Sequence, residues 1–292
     1  MNSEVFLKES VKYITDSYNK FRQYQSEAFE ILKFFDELCK NNNITYYLAF
    51  GTMLGAVRDN SVIPWDYDID VWVPYTMRSC LLSALEKIES DKFDWISTDK
   101  EVKYSSSCLK IFKKGYPFSA VHIDIYYLVG LPNNQKKQIS HVKKLSRFKL
   151  IRKRKYHHIW FKREQGILST CIRVFNAIVT SWINGRLLRK IENAFYSKYP
   201  LEKSKYCFSV GDPYGKTYYT SDFSGSECIT LNQHEFYIPK GYKRILSIIY
   251  SDYNKYPQIQ KRFDEFYKML NVVQEREERN SKNEREYHRK HQ

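Results

Sequence analysis

Phe50-Gly51-Thr52-Met53-Leu54-Gly55-Ala56-Val57-Arg58, followed closely by Ile63-Pro64-Trp65-Asp66-Tyr67-Asp68-Ile69-Asp70, decides how this chain is read. Thr45 to Phe50 is β-rich, and Gly51-Thr52 then opens one or two helical turns. A glycine and a small hydroxyl residue at a strand-to-helix turn let backbone N–H groups approach a phosphate closely. Asn60 to Pro64 reads as a loop, and the alternation Asp68-Ile69-Asp70-Val71-Trp72-Val73 reads as a strand. Residues two apart on a strand share a face, so Asp68 and Asp70 stand side by side. Two carboxylates that close repel each other unless a cation sits between them. Oxygen-only ligands favour Mg2+ or Mn2+, ions that also bridge phosphate oxygens. His122-Ile123-Asp124-Ile125-Tyr126 alternates in the same way, and Asp124 offers a third carboxylate.

Outward from this segment, Phe21, Tyr24, Ala28, Ile31, Leu32, Phe35, Leu38 and Cys39 recur at helical spacing and stop at Asn41-Asn42-Asn43. A second helix is expected over 77–89, and short strands over Phe93–Thr98, Cys108–Lys113 and Ala120–Leu128. A helix followed by several strands implies an α+β or α/β sheet core through about residue 130. Residues 136–199 read as helical, 206–240 as loops and short strands, and Tyr242–Tyr250 and Pro257–Leu270 as closing helices. The expected organisation is an N-terminal segment (1–20), a core (21–135), a basic and apolar helical insertion (136–200), the remainder of the core (201–274) and a charged tail (275–292).

The 292 residues carry a formal net charge of +15, and the excess is local. Twelve of the 48 Lys and Arg lie between Lys136 and Arg163, where there is no acid; the other 36 nearly balance the 33 Asp and Glu. Such a segment suits an anionic partner: a phosphate-bearing substrate, an anionic membrane surface or nucleic acid. Nucleic acid is disfavoured, because the run lacks a recognised reader motif. The apolar stretch 166–183 that follows fits either an interfacial element on an anionic leaflet or a helix packed into the core. The six cysteines form no C-x-x-C pair, and no spacing suggests zinc. Thiols scattered in this way, an N-terminus without a secretory signal and the lack of a spanning apolar run point to a cytoplasmic protein, peripheral at most to a membrane. His122, His157, His158 and His234 have no partners at metal spacing, and Trp65 reads as packing under its loop.

The run from Gly51 to Val73 resembles the signature of the LicD family, in which a GTLLGAVR-like stretch leads into an IPWDDDIDV-like stretch. The segment around Asp124 is similar to that family's later IDIF element. Phe236 to Tyr242 and Tyr250-Ser251-Asp252-Tyr253 resemble its closing element. The resemblance implies an α+β fold: a nucleotidyltransferase-type mixed sheet core flanked by helices, with the basic helical insertion added. It implies Asp68 and Asp70 as a metal pair holding Mg2+ or Mn2+, with Asp124 as the third carboxylate, either ligand or base. It places Gly51, Thr52, Gly55 and Arg58 toward donor phosphate, although Gly55 also suits close packing and Arg58 a salt bridge to Asp66 or Asp59. Bacterial members transfer phosphocholine from CDP-choline to cell-surface glycans, and the eukaryotic fukutin group transfers ribitol phosphate. The implied partners are therefore CDP-choline or a similar CDP-alcohol and a glycan or glycolipid acceptor. Two departures stand out: Tyr67 replaces the middle Asp of the acidic run, and Ser251 replaces a Gly. Two rivals remain open: transfer of NMP from an NTP, and a non-catalytic module that binds nucleic acid or membrane through the basic run.

Overall fold

The computed structural model describes residues 3–66, 68–88, 90–114, 121–156, 171, 174–175, 178–212, 214–268, 271 and 274. Tyr67, residues 157–170, half of the apolar stretch 166–183 and the tail 275–292 lie outside them. The chain opens with α1 (Ser3–Asn41). Phe21, Tyr24, Ala28, Ile31, Leu32 and Phe35 are its buried stripe, as the helical spacing requires. The helix starts well before Phe21, so the expected N-terminal segment is a continuation of it, with its apolar side chains Leu7, Val11 and Ile14 exposed.

A mixed sheet forms the centre. β1 (Tyr47–Leu48) pairs antiparallel with β2 (Ile69–Pro74), which runs parallel to β5 (His122–Leu131). The ten-residue β5 serves two neighbours on its other edge. Its first half pairs with β4 (Leu109–Lys113) and its last four residues with β6 (Tyr206–Ser209). β3 (Phe93–Ile96) extends the sheet beyond β4, and β7 (Thr217–Tyr219) extends it beyond β6. β5 is buried at nearly every position, as a central strand covered on both faces must be.

α2 (Phe50–Asp59) lies between β1 and β2, and α3 (Arg78–Glu86) follows β2. The insertion contributes α4 (Gln135–Tyr156) and α5 (Gly185–Tyr196). These two helices are joined by the buried ion pair Arg152–Glu192 and by Phe148 and His141 against Phe195. The basic run is thus not wholly a solvated face: Arg152 is only 1% exposed and takes its counter-ion from outside the run. β8 (Ser226–Leu231) and β9 (His234–Pro239) form a separate hairpin. Its two-residue turn, Asn232-Gln233, has both φ positive (47° and 65°), matching the right-handed twist of the strands. α6 (Tyr242–Tyr250) and a helical stretch over 259–268 close the chain.

Candidate active site

The register of the sheet builds the site. Asp70 on β2 lies directly beside Asp124 on β5, and Asp124 lies directly beside Lys110 on β4. Paired residues on neighbouring strands project to the same face, so the three side chains form a row across three strands. Asp68 precedes Asp70 by two residues and joins that face. One carboxylate oxygen from each of Asp68, Asp70 and Asp124 lies within 4.8 Å of the others. The three acids expected to act together are therefore together.

Their surroundings are dry. Asp124 is buried, and its Oδ1 accepts a 2.5 Å bond from Lys110 Nζ. The same oxygen lies 3.5 Å from the Cys108 thiol and 3.8 Å from His122 Nε2. Asp70 Oδ1 is buried with no hydrogen-bond partner among the described residues. Burial, then the charges of Asp68, Asp124 and Asp66, push the Asp70 carboxyl well above its ordinary value, against a smaller pull from Lys110. Burial, the largest single influence, would lower the pKa of Lys110, but the charge and hydrogen bond of Asp124 together with Cys108 and Asp68 outweigh it and hold the ammonium above its usual value. Burial and the Asp124 charge push the Cys108 thiol up to about 12, so it is a packing group and not a nucleophile. A buried carboxylate oxygen without a donor, beside two more carboxylates, fits a hard divalent cation: Asp68, Asp70 and Asp124 could hold Mg2+ or Mn2+.

The residues assigned to phosphate divide. Gly51 stands at the start of α2, where a Cβ would fall 2.2 Å from Asp66 Oδ2. The glycine lets the loop carboxylate lie against the helix N-terminus. Phe50 just before it has φ +43°, and Ala49 makes no side-chain cap. Thr52 is buried, and its Oγ1 accepts the Asp70 N–H at 2.9 Å, tying α2 to the strand that carries the acids. Gly55 and Arg58 take the structural alternatives that the sequence left open beside phosphate contact. Gly55 is buried in mid-helix, where a Cβ would sit 2.5 Å from the Ser61 carbonyl oxygen, so its role is close packing of the 61–63 loop. Arg58 lies in the last turn of α2, seven residues and about 10 Å of helix beyond Gly51. Its guanidinium is paired with Asp59 at 2.8 and 3.0 Å and stacked 4.2 Å from the Tyr256 ring centroid. Cations are favoured at that end of a helix and anionic ligands at the other, which separates Arg58 from the phosphate role.

Several contributors escaped the sequence reading. Lys110 is the first. Gln25 on α1 donates to the carbonyls of Ile63 (3.0 Å) and Asp66 (2.7 Å), holding the loop that leads into the acids. Trp65 is half-buried against the core, as expected. Tyr126, Tyr214 and Tyr250 gather around Phe50. The Phe50 ring lies 5.4 Å from that of Tyr126 and 5.6 Å from that of Tyr214, and Tyr214 meets Tyr250 edge-on at 5.7 Å. Burial is the main cause raising the Tyr214 and Tyr250 phenols, and the charges of Asp66 and Asp70 add to it, which sets both rings beside the acidic cluster. Asp212 fixes the Tyr214 loop by accepting the Tyr214 N–H (2.6 Å) and the Tyr218 hydroxyl (3.0 Å). Tyr214 is 42% exposed and presents its ring to whatever enters.

Residues 43–157, which contain the whole acidic row and Lys110, match the model of the LicD/FKTN/FKRP nucleotidyltransferase domain. Over these residues the chain is similar to LicD-type domains. It is 26% identical over 249 residues to the lipopolysaccharide cholinephosphotransferase LicD of Haemophilus influenzae, a match that covers 81% of this chain and 92% of that protein. Shorter similarities link it to two uncharacterized rickettsial proteins. One is from Rickettsia prowazekii (28% identity, covering 36% of this chain and 42% of that protein). The other is from Rickettsia typhi (36% identity, covering 23% and 24%). The matched segment thus spans the strands that align the acids, whereas Tyr214 and Tyr250 are added from outside residues 43–157.

Proposed function

We propose that the chain transfers phosphocholine, or a closely related alcohol phosphate, from a CDP-linked donor to a hydroxyl of a surface glycan of the lipopolysaccharide kind, releasing CMP. The observation that carries this reading is the convergence of two half-buried carboxylates, Asp68 and Asp70, with the buried Asp124 on one point beside the N-terminus of α2. The similarity to a named cholinephosphotransferase over most of both chains supports the choice of transferred group.

Asp68, Asp70 and Asp124 would hold Mg2+ or Mn2+. Bound there, the ion supplies positive charge for the donor diphosphate and for the departing CMP. The residues of the chain do the rest. The turn at Gly51 aims the first N–H groups of α2 toward the phosphates, where the helix dipole favours negative charge. Lys110 fixes the orientation of Asp124. Tyr214 and Tyr250, with the Asp66 carboxylate nearby, offer aromatic faces and negative charge to a quaternary ammonium. In the transfer, the acceptor oxygen bonds to the phosphorus that bears the alcohol. The bond from that phosphorus to the CMP oxygen breaks, and the acceptor proton passes to a carboxylate of the row.

Incubation with a panel of CDP-alcohols and Mg2+, followed for CMP, tests the reading. CMP release that depends on a glycan acceptor and is lost in Asp68→Asn/Asp70→Asn supports it. Pyrophosphate release from an NTP, without CMP from any CDP-alcohol, would establish NMP transfer instead.

A further inference from the structure

A second surface lies away from the acids, in the insertion. Phe175 (65% exposed), Ile178 (59%), Val179 (53%) and Trp182 (89%) place four large apolar side chains in water within eight residues. Leu187 on α5 is exposed as well. Isolated exposed apolar residues are ordinary, but a contiguous cluster marks a contact surface. The core-packed alternative for this stretch does not apply to these residues.

The surroundings of the cluster identify what covers it. Lys155, at the end of α4, donates to the carbonyls of Thr180 (2.9 Å) and Ser181 (3.1 Å), joining the basic helix to the apolar cluster. Lys153 and Arg154 beside it are exposed, as are Lys143, Lys144 and Arg147. Between Lys136 and Asn184, Glu164 is the only acid in the sequence. An apolar protein partner would need no such field. An anionic lipid surface needs both parts: rings and aliphatic chains that enter the headgroup boundary, and cations that meet the lipid phosphates. No helix among the described residues is long and apolar enough to cross a membrane, so the arrangement suits lying on a surface.

We infer that the apolar cluster at 174–182, together with the basic α4, is a docking surface for an anionic lipid bilayer. The same helix connects this surface to the site. Lys149, six residues before Lys155, donates to the Gly211 carbonyl, and Gly211 packs against the Tyr126 ring in the site. Six residues of helix span about 9 Å. Docking at 174–182 therefore fixes the acidic row relative to the bilayer, the position from which a lipid-linked acceptor can be reached. The inference is independent of which donor the site takes.

Flotation of the full-length chain with vesicles tests it without donor or metal. Vesicles of phosphatidylcholine alone are compared with vesicles carrying a third phosphatidylglycerol. The wild-type chain should float with the anionic vesicles only, and high salt should release it. Phe175→Ser/Trp182→Ser should weaken partitioning by about tenfold or more at unchanged melting temperature, because both side chains are exposed. Trp182→Phe, which keeps an apolar ring, should retain most of the binding. Lys153→Gln and Arg154→Gln should each cost about fivefold. Binding that ignores lipid charge, an absence of binding, or insensitivity to Phe175→Ser/Trp182→Ser would overturn the inference. So would lipid-free self-association that Trp182→Ser abolishes, since the cluster would then be an interface between copies of the chain.

Discussion

Lys110→Met offers the sharpest test of the charge arrangement. The substitution keeps the length and apolar stem of the side chain and removes only the ammonium. Lys110 Nζ lies 2.5 Å from Asp124 Oδ1, and the two side chains are 13% and 10% exposed. Removing one partner of a buried ion pair costs about 3–5 kcal/mol, because the other charge is left in a poorly solvated place. Here the stranded carboxylate also faces Asp70 and Asp68. Proton uptake limits the penalty, since the Asp70 carboxyl is already pushed above its ordinary value. A loss of about 3 kcal/mol is therefore expected in metal-free protein, which lowers Tm by roughly 6–12 °C in a chain of this size.

The response to metal separates this argument from a trivial packing defect. Lys110 is the cation within hydrogen-bonding reach of Asp124, and it opposes a second cation on the same row. With it gone, Mn2+ should bind at least about tenfold more tightly by calorimetry, a gain of about 1.4 kcal/mol. Saturating Mn2+ should then recover most of the lost Tm, and its stabilising increment should exceed that in the wild-type chain. An equal Tm deficit with and without Mn2+, or weaker Mn2+ binding in Lys110→Met, would refute the reasoning.

Asp68→Asn/Asp70→Asn should abolish Mn2+ binding measured by electron paramagnetic resonance while leaving the fold intact. In the wild-type chain, Mn2+ affinity should rise with pH above 3.8, because the ion must displace the proton that Asp70 retains. Tyr214→Leu should lower kcat/KM for CDP-choline by about 5–30-fold, the value of a desolvated cation–π contact, and affect the neutral CDP-glycerol far less; equal losses would show that the ring contacts another part of the donor. Asp59 titrates below its ordinary 3.8: burial would raise it, but the bonds from Arg58 and Tyr256 prevail. A carboxylate with a depressed folded pKa stabilises above its unfolded value and loses that contribution as pH falls, so acid unfolding of Asp59→Asn should lack one destabilising step below pH 3.8. Gly55→Ala should lower stability by about 1–2 kcal/mol in thermal unfolding, because overpacking against the Ser61 carbonyl exceeds the gain in helix propensity.

The acids were legible because strand alternation is a local property. Asp68 and Asp70 two apart, and Asp124 in a second alternating run, had to project from sheet faces wherever the strands went. Lys110 was not legible. In Leu109–Lys113 it is one of two lysines in an ordinary alternating strand, and only the antiparallel register of β4 on β5 puts it opposite Asp124. Register is set by long-range packing, which a single sequence does not display. Tyr214 and Tyr250 were hidden differently: among 25 tyrosines nothing local marks the two that meet beside the cluster. Arg58 stayed open between a phosphate contact and a salt bridge, because the motif alone does not show that α2 carries it to the far end, where it pairs with Asp59. The apolar insertion was the ambiguous case, because a run of hydrophobic residues looks alike whether it faces a core or a bilayer.

Charge balance connects these pieces. Three carboxylates and one ammonium leave the row with two negative charges when all are ionised, in a place where water does little to screen them. In the metal-free protein, burial and the charges of Asp68, Asp124 and Asp66 make a proton on Asp70 easier to keep than on an ordinary carboxyl, and its buried Oδ1 has no donor among the described residues. A single divalent ion removes the same deficit without the proton. A second ion would overshoot, unless an anion such as a diphosphate arrived with it. On the proposed function, Lys110 would limit how much positive charge the row accepts before a phosphorylated donor arrives.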